Sequence, residues 1–361
     1  MLHMLNRWYQ RRFSDPHAVS LVVILLGGFL TIYFFGSLIT PLLVAIVLAY
    51  LLEWPVARLN KLGMPRTLSV AIVLLVFAGL MVLALFGLVP TIWHQITNLS
   101  ADVPKMFNDL QIYVSSLPER YPDFVQPAQV VDLMNTLREK VLGLGESVVK
   151  GSLASLVSLA TIGVYLILVP LLVFFLLKDK DEMLRTLLNV LPKNRRLASK
   201  VGSEMNQQIS NYIRGKVTEI IIVGIASYVT FEVMDLRYAV LLGVLVGLSV
   251  LIPYIGAAAV TVPVAMVGLF QWGWTPDFWW LLLAYGIIQM LDGNVLVPIL
   301  FSEAVNLHPV AIIVAVLVFG GLWGFWGVFF AIPLATLVKA VWGALPASDN
   351  NLSPSDVSEK V

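Results

Sequence analysis

Asp292 is the residue around which chemistry could be organised. It sits near the centre of an apolar run, 278–299, with Gln289 three positions before it and Asn294 two after. Positions three apart share a helix face, so Gln289 and Asp292 would present an amide and a carboxylate together. An ionised group at the middle of a bilayer costs at least roughly 2.5–3.5 kcal/mol, so this acid is expected to face protein, water or an ion. Two readings stand: a solute or proton path, or an acid that cements packing by hydrogen-bonding a neighbouring hairpin. Glu219 is the other acid inside an apolar span. With Asn211, Arg214 and Lys216 it forms a polar cluster expected at the cytoplasmic mouth, the cations read as positive-inside anchors and one of them able to pair with Glu219.

Such an acid needs elements that bring polar backbone to it. Two apolar stretches, 238–270 and 309–341, each hold 33 residues. A straight helix of that length would run roughly 50 Å against a hydrocarbon core of about 30 Å. Both carry breakers near the middle: Pro253-Tyr254-Ile255-Gly256 in the first, and Gly320, Gly321, Gly324 and Gly327 around Trp323 and Trp326 in the second. The expectation is two helical hairpins that dip into the membrane and turn back. Helix ends inside a membrane leave N–H and C=O groups that must find partners, the N-termini suiting anions or polar ligands and the C-termini cations. The same glycines also fit close helix packing, at Gly243/Gly247 and Gly320/Gly324. Trp323 and Trp326 read either as lining the path or as interfacial aromatics.

The pentapeptides Met234-Asp235-Leu236-Arg237-Tyr238 and Val305-Asn306-Leu307-His308-Pro309 lie 71 residues apart, each closing a span and opening one of the long stretches. Span plus hairpin then forms a unit present twice in inverted sense, a recurrent architecture of secondary transporters.

Composition sets the class. Hydrophobic residues make up 59% of the chain and charged ones 12%, with mean hydropathy +0.88, far from the soluble norm. The chain reads as an all-α polytopic membrane protein with about six full transmembrane helices and two re-entrant hairpins. No cysteine is present and the four histidines are scattered, which excludes thiol chemistry and gives no metal-ligand spacing. Phosphate-loop, dinucleotide and zinc-protease motifs are absent from the sequence, so neither enzyme activity nor a cofactor is expected, and nothing suits nucleic acid.

In chain order, 1–90 reads as a cytoplasmic segment and three spans (18–35, 38–52 and 68–89), with Gly36-Ser37 turning the chain. The first span reads as a retained anchor, not a signal peptide. Segment 91–150 reads as an external helical insertion, its first helix bent or split at Pro104 and closed at Pro118. Segment 151–216 holds a fourth span and amphipathic helices broken at Pro192. Segment 217–345 is the transport core and 346–361 a polar tail expected to be disordered. Of the 23 Lys and Arg residues, 17 fall on the side that would be cytoplasmic together with both termini.

The runs Ser249–Ala257, Asp292-Gly293-Asn294-Val295-Leu296-Val297-Pro298 and Phe319–Val328 with Pro333-Leu334-Ala335 resemble the autoinducer-2 exporter (AI-2E) family, and the opening resembles its PerM-like permease branch. The resemblance covers nearly the whole chain. It implies export of a furanone-type signal, as in some members, or monovalent cation/proton antiport, as in others. It also implies a homo-oligomer, with a pentamer as the state it suggests. The preferred function is an inner-membrane permease exporting a small polar solute in contact with lipid. Asp292, Gln289 and Asn294 would supply polar contacts, and the hairpin breaks would act as gates. Cation/proton antiport through Asp292 is the alternative, and a non-transporting scaffold that binds a partner through 91–150 is the second.

Overall fold

The computed structural model describes residues 16–115, 155–190, 196–301 and 307–344. Every regular element among them is helical: α1 (Pro16–Lys61), α2 (Arg66–Ser115), α3 (Ser155–Lys178), α4 (Lys180–Val190), α5 (Arg196–Val233), α6 (Ala239–Ser249), α7 (Ile255–Trp272), α8 (Pro276–Leu291), a π-helical turn (Asp292–Leu296), α9 (Val297–Phe301), α10 (Pro309–Phe329) and α11 (Ala331–Ala344). Five segments among the described residues are long and apolar enough to cross a bilayer: Leu38–Lys61, Arg66–Asp109, Ile255–Trp272, Pro276–Phe301 and Pro309–Phe329. The protein is an all-α polytopic membrane protein. The 116–150 part of the expected insertion, the Pro118 and Pro192 breaks and the C-terminal tail lie outside the described residues.

The described residues divide between two compact units, one drawn from Met1–Leu43, Asp179–Arg214 and Phe301–Val361, the other from Val44–Lys178 and Gly215–Leu300. In the second unit, Ala45, Leu52 and Val56 of α1 pack with Val70 and Val73 of α2 and Val169, Val173 and Leu177 of α3. A separate core joins Val223 and Phe231 of α5, Leu242 and Val246 of α6, Val264 and Val267 of α7, and Leu281 and Tyr285 of α8. Glycines let α5 and α6 approach closely: a Cβ on Gly247 would lie 2.8 Å from the Ile220 carbonyl oxygen.

One expected break does not split its helix, and another falls one residue early as a kink. The helix α2 runs unbroken through Pro104 as well as Pro90; a proline removes one hydrogen bond and kinks a helix but need not end it when the flanking turns continue. The turn expected at Gly36-Ser37 is instead a departure from helical geometry inside α1 at Phe35 (φ −115°, ψ 16°).

The first long stretch does turn back. Gln271, at the far end of α7, donates through Nε2 to the Asp235 carbonyl (2.5 Å) and accepts from the Arg237 backbone N–H (2.7 Å). The two ends of the stretch are thus joined. The break spans 250–254, with Tyr254 at φ 63°. The arms are unequal: α6 is about 16 Å long, too short to cross, and α7 is about 27 Å. Gly256 is required at the closure, since a Cβ there would lie 1.8 Å from the Ser249 carbonyl oxygen.

In the other unit, α10 and α11 form the second hairpin. Gly324 takes φ 58°, ψ −132°, a region open essentially to glycine. A Cβ on Gly327 would lie 1.8 Å from the Phe319 carbonyl oxygen. Leu307 and Ala311 at one end of the stretch and Val338 and Lys339 at the other line one apolar cleft of about 430 Å³, so this stretch folds back as well. Both hairpins close through a glycine pressed against a carbonyl at the end of the first arm.

Candidate functional site

A hairpin break leaves carbonyls without helical partners. At the first break the Val250 carbonyl accepts a hydrogen bond from Lys216 Nζ (2.7 Å). Just past the second turn, the Phe329 carbonyl, which Pro333 four residues on has no N–H to satisfy, accepts one from Tyr212 Oη (2.8 Å), within a ring cluster that includes Phe301. Both donors are residues of α5, four positions apart in sequence.

Lys216 is 4% exposed and Glu219 2%. The ammonium lies 2.8 Å from Glu219 Oε2, an ion pair off the axis of a well-aligned hydrogen bond. The ion pair expected of Glu219 with one of the neighbouring cations is thus made by Lys216, and the pair is buried against the first hairpin break. The physical reason lies in its spacing. With Glu219 one turn further on, the lysine need not extend to water, because the carboxylate and the Val250 carbonyl compensate its charge. Arg214 reaches only the Ser210 hydroxyl of its own helix.

Asp292 is half-buried, within electrostatic range of both Lys216 and Glu219, and its Oδ1 is buried with no hydrogen-bond partner among the described residues. It opens the π-helical turn, in which Val297 N–H donates to the Asp292 carbonyl five residues back. Pro298 supplies the cause. It has no N–H to return to Asn294, and the helix shifts register over that turn. Gln289 lies beside the Tyr285 hydroxyl, and its Nε2 is likewise buried without a partner. Tyr285 Oη donates to the Ala257 carbonyl (3.2 Å) and Thr261 Oγ1 lies 3.3 Å from it. This carries the polar line from α8 onto α7 just past the break.

Asp292, Gln289 and Glu219 thus gather with Lys216 around the first hairpin break, beside Pro253, Tyr254 and Gly256. Asn294 does not join them: it is exposed and its Nδ2 donates to the Met290 carbonyl (2.9 Å). Trp323 and Trp326 belong to the second hairpin, Trp323 stacked on Phe319 (5.8 Å between ring centres, 9° between planes) and Trp326 on Phe330 (6.1 Å, 21°). Gly320, Gly321, Gly324 and Gly327 form that hairpin's turn. Sequence reasoning missed Lys216, Tyr285, Thr261 and Tyr212 as parts of these breaks. Only the Lys216/Glu219 spacing offered a signal.

A buried ion pair at the break of a hairpin folded back among apolar helices is a feature of membrane transport proteins. A family model described as "AI-2E family transporter" matches residues 21–347, and this chain belongs to that family. It is 58% identical over 346 residues to PerM of Escherichia coli (strain K12), whose name describes it as a permease, covering 96% of this chain and 98% of that one. YrrI of Bacillus subtilis (strain 168), named as a transport protein, is 27% identical over 309 residues, covering 84% and 86%. YhhT of Escherichia coli (strain K12), also named as a transport protein, is 24% identical over 328 residues, covering 90% and 88%.

Proposed function

We propose that this protein is an inner-membrane secondary transporter that exports a small polar solute, with an autoinducer-2-like signal as a candidate cargo. In this reading the Lys216–Glu219–Asp292 group at the first hairpin break forms the polar site. One observation supports it: a buried ammonium–carboxylate pair, with a second, half-buried carboxylate in electrostatic range, beside a carbonyl that no helix satisfies. Such groups are costly in a membrane and mark solute and ion paths. Both termini would be cytoplasmic and the working state a homo-oligomer, a pentamer being the state the family resemblance suggests. The test is flux in proteoliposomes of the wild type and Asp292→Asn across candidate solutes. A neutral-solute path tolerates the isostere in part, and loss of the Gln289–Asp292 contribution appears as weaker uptake.

The same charge set favours monovalent cation/proton antiport as a second reading. One ammonium against two carboxylates leaves a negative charge that a proton or a monovalent cation would balance. Under antiport, flux changes steeply with pH and Asp292→Asn abolishes it. Retained, pH-insensitive flux in that variant rejects antiport.

A further inference from the structure

The first hairpin is held at its outer end as well as at its tip. Three residues of α2, Gln95, Leu99 and Asp102, follow steps of four and three and so share one face. They lie past the apolar part of α2, and all three meet the hairpin's opening. Gln95 Oε1 accepts from the Leu241 backbone N–H (2.8 Å), an N–H in the first turn of α6 that has no partner within the helix. Leu99 packs against the core that α5 to α8 share. Asp102 Oδ2 accepts from Tyr238 Oη (2.6 Å) and lies 3.4 Å from Arg237 Nη1.

What these residues grip is a strained elbow. Asp235 (φ 56°) and Tyr238 (φ 63°) both take left-handed backbone, although neither is glycine. Such conformations persist only where the surroundings over-determine them. Gln271 closes the elbow from the side of α7. The elbow is therefore gripped from two sides, by α7 and by α2.

We propose that the outer end of α2 is a brace for the first hairpin, with Asp102 and Gln95 as positioning residues that fix the elbow and, through the short rigid α6, the depth of the break at Val250. The inference does not depend on the identity of the cargo.

Hydrogen exchange of the full-length protein in nanodiscs tests it. Asp102→Ala and Tyr238→Phe are each expected to speed exchange over 239–256 by about fivefold or more, with the α1–α3 core unchanged. Asp102→Asn, which keeps an acceptor for the tyrosine, should stay within about twofold of wild type. Because the chain has no cysteine, Asp102→Cys with Tyr238→Cys can be bridged by a short bifunctional thiol reagent. Bridging should return the raised exchange of the double variant to the wild-type rate. Unchanged exchange in Asp102→Ala, an equal rise in all helices, or failure of the bridge to form or to restore slow exchange would each overturn the proposal.

Discussion

Lys216 Nζ donates to the Val250 carbonyl at 2.7 Å while lying 2.8 Å from Glu219 Oε2. One ammonium thereby satisfies a hairpin break and neutralises a buried acid. Removing one partner of a buried pair costs about 3–5 kcal/mol, because the other charge stays in a low-dielectric interior. Lys216→Met should therefore lower the unfolding midpoint strongly in detergent. Lys216→Met with Glu219→Gln should recover much of the loss, the unmatched Val250 carbonyl accounting for what remains. The pair of Arg66 and Glu53 (3.3 Å), with side chains 29% and 22% exposed, gives the contrast: Glu53→Gln should lower the midpoint less than Lys216→Met does.

Both hairpin turns place a glycine where no side chain fits. Gly256→Ala and Gly327→Ala would each press a Cβ to 1.8 Å from a backbone carbonyl oxygen, and a backbone atom cannot swing aside as a side-chain end can. Each is expected to cost about 3 kcal/mol or more, at the upper end of overpacking effects, and to be read as lost folded yield. Gly324→Ala should cost about 1–3 kcal/mol through its backbone conformation alone. Gly286 and Gly321 have open space at the Cβ position, so alanine there should leave the unfolding midpoint within about 0.5 kcal/mol.

Hydropathy and breakers made the hairpins legible, because 33 apolar residues with Pro253 and Gly256 or Gly324 and Gly327 inside them fit no straight helix. Asp292 and Gln289 were legible for the same reason: an acid and an amide one turn apart contradict their surroundings. Lys216 was harder to place. Charge rules assign a cation at the edge of a span to the water side, and only the folded chain shows that the Val250 carbonyl comes to meet it. Pro104 misled in the opposite sense, since a proline signals a possible stop and α2 continues through it. Asn294 resembled its neighbours in type but turned onto its own helix. The register shift that Pro298 imposes was not legible from the polar residues alone.

The joined ends of the first stretch make a topological prediction. Asp235, Arg237 and Gln271 lie together, so the segments 234–238 and 271–277 must share one side of the membrane, whichever side that is. With segment 178–216 expected in the cytoplasm and the first stretch re-entrant, that side is expected to be the outside and 302–308 to be cytoplasmic. A cysteine-free chain allows a direct check with single substitutions at Trp274, exposed at 53%, and at His308. In right-side-out vesicles an impermeant maleimide should label Trp274→Cys at once and His308→Cys only after permeabilisation. Arg237→Cys should follow Trp274→Cys. If Arg237→Cys and Trp274→Cys label from opposite sides, the first stretch crosses the membrane, and the polar group at Val250 loses its place at the tip of a hairpin.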